Sequence, residues 1–86
     1  MKEVRGLTKQ EICDRYKPCG EWAIGWCRLV VHHIEHGIEE RLYCAFHHTC
    51  GISYHRLLVH YTNSGIPYVL FNRRRYRLDE CIRIYE

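Results

Sequence analysis

The hydrophobic pattern of this chain changes period once, near Gly20. Before that point, Thr8-Lys9-Gln10-Glu11 has the form of a capping box, in which the Thr hydroxyl caps an amide one turn on and Glu11 reaches back. A short helix over about Lys9–Tyr16 follows, with Ile12, Cys13 and Tyr16 on one face. Pro18 and Gly20 end it. Residues 1–7 are polar and read as a frayed lead.

From Glu21 the chain turns aromatic and β-branched, a composition that suits a pleated, half-buried surface. Trp22 to Ile34 reads as one strand, Glu35-His36-Gly37 as a turn, and Ile38 to Phe46 as the returning strand. A tight turn at 47–51 leads into a third strand, Ser53–Tyr61. Thr62-Asn63-Ser64-Gly65 is a strong hairpin turn. Ile66–Phe71 is the fourth strand, Asn72-Arg73-Arg74 a tight turn, and Arg75–Leu78 a short fifth strand. Asp79 is placed to cap a last helical turn over Cys81–Ile84. The expected fold is α+β, a short N-terminal helix followed by an antiparallel meander of four or five strands, in a single domain over residues 1–86.

Composition adds a chemical expectation. Six Cys and seven His in 86 residues are a surplus, and a chain of this length buries too little surface to be robust without a staple. The start, Met1-Lys2-Glu3-Val4-Arg5-Gly6, has no apolar core of a signal peptide, and no apolar run reaches the roughly 20 residues of a membrane span. An intracellular, reducing location is therefore expected, where clustered Cys and His point to structural zinc ahead of disulfides or unliganded buried thiols.

The densest ligand stretch is Cys44 to His55, whose centre, His47-His48-Thr49-Cys50-Gly51, has the shape of half a zinc knuckle. Cys13 and Cys19, with Gly20 after the second thiol, complete a Cys3His set of Cys13, Cys19, His47 and Cys50. Such a site would tie the helix to the sheet. Cys44 can stand in for one member, His48 for His47, and His55 can close a purely local site. Cys27 and Cys81 lie among apolar residues and read as core thiols. His32, His33 and His36 read as solvated near a turn, and His60 as a half-exposed packing residue.

Catalytic signatures are weak. His33-Ile34-Glu35 resembles the His-x-Glu of zinc deaminases, but the Pro-Cys-x-x-Cys that those enzymes need is missing. His47-His48 raises a ββα-metal nuclease, yet no Asp or Glu lies near it in sequence. No catalytic residue and no small-molecule substrate are expected.

Charge then directs attention to macromolecules. The net charge is only +3, so its distribution matters more than its size. Asn72-Arg73-Arg74-Arg75-Tyr76-Arg77 is the one basic run, with guanidinia to grip phosphates or an acidic protein surface and Tyr76 to stack. Glu35, Glu39 and Glu40 form an acidic tip at another turn. A bipolar surface of this kind suits docking by charge complementarity, to a protein first and a nucleic acid second.

The stretch Gly65-Ile66-Pro67-Tyr68-Val69-Leu70-Phe71-Asn72-Arg73-Arg74-Arg75-Tyr76-Arg77-Leu78-Asp79-Glu80 resembles the closing hairpin of small proteins carried by phages and other bacterial mobile elements. In size and style the chain is similar to anti-CRISPR proteins, some of which inhibit Cas9. The resemblance implies a stoichiometric inhibitor that occludes a Cas nuclease in the cytoplasm of a bacterial host, with any Zn2+ structural.

Overall fold

The computed structural model describes residues 6–84. Helix α1 (Lys9–Arg15) starts on the capping box read from the sequence: the Glu11 amide donates to Thr8 Oγ1 at 3.1 Å and the Thr8 amide to Glu11 Oε1 at 2.7 Å. Tyr16, the C-cap, is already extended, and Pro18 keeps Lys17 out of the helical region beyond it.

Among the described residues eight strands follow: β1 (Gly20–Ile24), β2 (Cys27–Glu35), β3 (Arg41–His48), β4 (Gly51–Leu58), β5 (His60–Tyr61), β6 (Pro67–Phe71), β7 (Arg74–Arg77) and β8 (Ile82–Arg83). They form an antiparallel five-stranded sheet in the order β4-β3-β2-β1-β8 and a three-stranded sheet in the order β5-β6-β7. The α+β class and the meander are therefore as expected, with three differences. The stretch Trp22–Ile34 is two strands, not one, broken by a Gly25-Trp26 turn in which Gly25 takes φ +59°. The strand expected over Ser53–Tyr61 divides into β4 and β5, and β5 joins the smaller sheet. The C-terminal segment, expected as a helical turn over 81–84, has a 3₁₀ turn at Leu78–Glu80 and then adds β8 to the edge of β1, Gly20 opposite Arg83 and Glu21 opposite Ile82.

The two sheets face each other across the main core of Trp22, Leu29, Val31, Leu42, Cys44, Val69, Phe71 and Cys81. Each fully buried aliphatic side chain here, such as Leu29, Leu42 or Val69, contributes about 1.5–3 kcal/mol relative to exposure. Trp22 also donates from Nε1 to the Arg77 carbonyl at 3.1 Å, which pins β7 over β1. On its other face the large sheet carries α1, through a smaller cluster of Ile12, Cys13 and Tyr43. A register shift between Val31 and His33 lets β2 bend at that face. There His32 Nδ1 sits 2.9 Å from the Tyr16 carbonyl and His33 stacks on the Tyr16 ring at 4.1 Å. Those two imidazoles, expected to be solvated, instead hold the end of the helix; His36 is exposed and His60 half-buried on Tyr68, as read.

A candidate docking end

Antiparallel alternation places the Gly25-Trp26 and Thr49-Cys50 turns at one end of the large sheet and the turn between β2 and β3 at the other. The β6–β7 turn joins the first end, because Phe71 packs edge-on against Phe46 at 5.0 Å and His55 at 4.7 Å, close to where β3 runs out. Asn72 and Arg73 form that turn with φ of 52° and 63°. Two successive positive φ values match the twist of a two-residue hairpin, and Asn tolerates them; Arg does not do so cheaply, since the second position favours Gly.

The consequence is a turn that carries Arg73 at its tip and Arg74 and Arg75 on the two faces of the strand that follows. Among the described residues, Arg73, Arg74 and Arg75 have no ion pair. Arg75 lies over the Tyr68 ring at 4.5 Å, and Arg74 is 6.0 Å from the Tyr76 ring. These faces hold the cations without neutralising them. Arg77, grouped with them in the sequence, differs: Asp79 accepts from it at 2.7 and 3.1 Å, and Glu80 lies 3.9 Å away. Tyr76 is turned inward, 5.7 Å from Trp22, rather than offered to solvent.

The aromatic residue this end does offer is Trp26, 93% exposed at the tip of its hairpin. Sequence pattern places it in the core, inside an apolar strand; Gly25 immediately before it is the signal that a two-residue turn intervenes. Cys27 next to it is half-buried rather than a core thiol, whereas Cys81 is buried as expected.

At the far end Glu35, Glu39 and Glu40 do share one tip, but each is partnered. Arg56 donates to Glu35 at 2.8 Å, Arg41 pairs with Glu39, and Glu40 takes His36 at 2.9 Å and the Tyr61 hydroxyl. These hydrogen bonds hold the Glu35 and Glu40 carboxyls below the usual carboxylate range, Glu35 chiefly through Arg56 and Glu40 chiefly through Tyr61. Ile38 projects fully exposed from the same tip.

The residues read as zinc ligands are dispersed. Cys13 is buried on α1, Cys19 lies at the start of β1, and His47 is on the α1 face of β3, opposite Arg28 and Ile52. Cys50 is exposed in a two-residue hairpin turn, so the half-knuckle is a β-turn. Cys13 and His47 line one open cleft of about 420 Å³, together with Glu21, Arg28, His32 and Tyr54; Cys19 and Cys50 lie outside it. Of the alternates, Cys44 and His55 are on the opposite face of the sheet, while His48 tilts against Phe46. Among the described residues, no three His, Cys, Asp or Glu side chains come together as a metal-binding group.

Comparison with protein-family models, curated proteins and solved structures finds no match to this chain.

Proposed function

We propose that this protein is a non-catalytic module that docks on a macromolecular partner through the end formed by Arg73, Arg74, Arg75 and Trp26. The supporting observation is the Asn72-Arg73 turn: a charged side chain is held at φ 63°, where Gly fits better, and it is followed by Arg74 and Arg75, which also lack an acidic partner among the described residues. Strained, charged positions of this sort concentrate at functional sites. The partner is a protein with an acidic surface; following the resemblance of the C-terminal hairpin, it is a Cas nuclease such as Cas9, occluded stoichiometrically. The test is target cleavage by a Cas9–guide complex with increasing amounts of this protein. Cleavage should fall in proportion to added protein and recover when Arg73, Arg74 and Arg75 are all changed to Ala. Full cleavage at a several-fold excess would remove the Cas9 reading.

A nucleic-acid partner is the second reading, and exposed Trp26 favours it by offering a face on which a base can stack beside the guanidinia. Binding of single- or double-stranded oligonucleotides at about 50 mM salt, weakening steeply toward about 200 mM, would support it. Absence of binding at the lower salt would end it.

A structural zinc on Cys13, Cys19, His47 and Cys50 is proposed on composition alone. Of the four, Cys13 and His47 share a cleft, while Cys19 and Cys50 lie outside it.

A further inference from the structure

The outer edge of β4 is the longest unpaired feature of the fold. Among the described residues, β4 pairs only with β3. Val59, just beyond the strand, donates to the Glu40 carbonyl. Alternation in an antiparallel ladder then assigns the bonds to β3 to Gly51, Ser53, His55 and Leu57. The amides and carbonyls of Ile52, Tyr54, Arg56 and Leu58 point away from the sheet, and no residue of β4 is buried. Natural edges are usually guarded by Pro, Lys, bulges or shortness. This one is eight residues long, has no Pro, Lys or bulge, and carries a single charged side chain, Arg56.

We infer that this edge pairs with the same edge of a second copy, antiparallel and centred on His55, to give a continuous ten-stranded sheet. The side chains of the edge select that occupant and that register. Centring on His55 sets Ile52 opposite Leu58 of the second copy and Tyr54 opposite Arg56 of the second copy, joining apolar to apolar and guanidinium to aromatic on one face. Ile52, half exposed in the monomer, gains cover from that pairing. Centring on Arg56 would oppose two like charges. The edge is thus self-complementary about a two-fold axis in the side chains it pairs.

The test is hydrogen exchange read amide by amide on the full chain at two concentrations, with molar mass from sedimentation equilibrium. The expected result is a dimer in which the amides of Ile52, Tyr54, Arg56 and Leu58 become protected as concentration rises. Ile52→Lys, which alters a half-exposed side chain and no backbone group, should raise the dissociation constant about tenfold or more. Arg56→Pro removes an outward N–H while leaving the β3 ladder intact, and should give a folded monomer. A wild-type chain that stays monomeric at NMR concentration, or a dimer whose even-numbered β4 amides exchange as in the monomer, overturns the inference. Either result is independent of the variants' folding and of the Arg-end proposal.

Discussion

Gly20 and Cys81 meet where the C-terminal strand closes over β1: a Cβ added at Gly20 would stand 2.7 Å from the Cys81 Sγ and 3.2 Å from the Ile82 carbonyl oxygen. Gly20 is therefore needed for close approach of β8. Gly20→Ala should destabilise the fold by roughly 1–3 kcal/mol, the usual range for overpacking a tight site. Cys81→Ala should recover part of that loss, because it removes the nearest atom; Ile82 would still be close. Urea denaturation of the two single variants and the double variant checks the coupling. Strictly additive losses would show that the sulfur is not the obstacle.

Arg73 should separate stability from binding. Arg73→Gly relieves a backbone conformation that costs a non-Gly residue about 1 kcal/mol or more, partly offset by the greater freedom of Gly when unfolded. The expected result is a thermal midpoint equal to or above the parent, with weaker docking on the partner. Arg77→Ala makes the contrast: its charge is already taken by Asp79 and Glu80, so docking should change little. Calorimetry for the midpoint and a titration for docking read the two effects separately.

These two places also show what the sequence could and could not specify. Thr8 and Glu11 announce α1 because a capping box is local chemistry, complete within four residues. Thr62-Asn63-Ser64-Gly65 announces its turn for the same reason. Gly20 was legible as a helix terminator and as the glycine after a candidate thiol ligand; its packing role depends on Cys81, sixty-one positions away, which no local pattern encodes. Trp26 misleads because an apolar aromatic inside an apolar run looks like core, and only Gly25 betrays the turn that lifts it out. At the candidate docking end the basic run was legible, but not its division into three unpaired guanidinia and one neutralised by Asp79. The Cys and His pattern showed donors without showing that β3 and β4 send neighbouring donors to opposite faces.

Acidification should weaken the fold before any carboxylate titrates. Burial lowers the His47 pKa, helped by Arg28 and His32, and burial with Lys9 and His48 lowers that of His55. Below about pH 6.5 the unfolded chain takes up protons that the folded chain resists at these two rings, so stability falls as pH drops through that value. Between about pH 7.5 and 5.5 the midpoint of urea denaturation should decrease, and His47→Gln with His55→Gln should flatten the slope. An unchanged slope in that double variant would assign the pH dependence elsewhere.

The six thiols should divide by place. Burial raises the Cys44 pKa to about 12 and those of Cys13 and Cys81 to about 11, so these three are neutral and shielded at ordinary pH. Cys50, exposed at a hairpin tip, meets reagent freely. Brief iodoacetamide treatment followed by peptide mass mapping should label Cys50 first and leave Cys13, Cys44 and Cys81 unmodified until denaturant is added. Cys50→Ser should then fold as stably as the parent. A zinc staple demands the opposite pattern at this residue: Cys50 protected, about one zinc per chain by mass spectrometry, and both metal and fold lost in Cys50→Ser as in Cys13→Ser. Because Cys13→Ser also places a hydroxyl in the Tyr43 cluster, its loss of stability alone decides nothing. Cys50 is the residue at which the two readings part, and its labelling rate, measured with and without a chelator, discriminates between them.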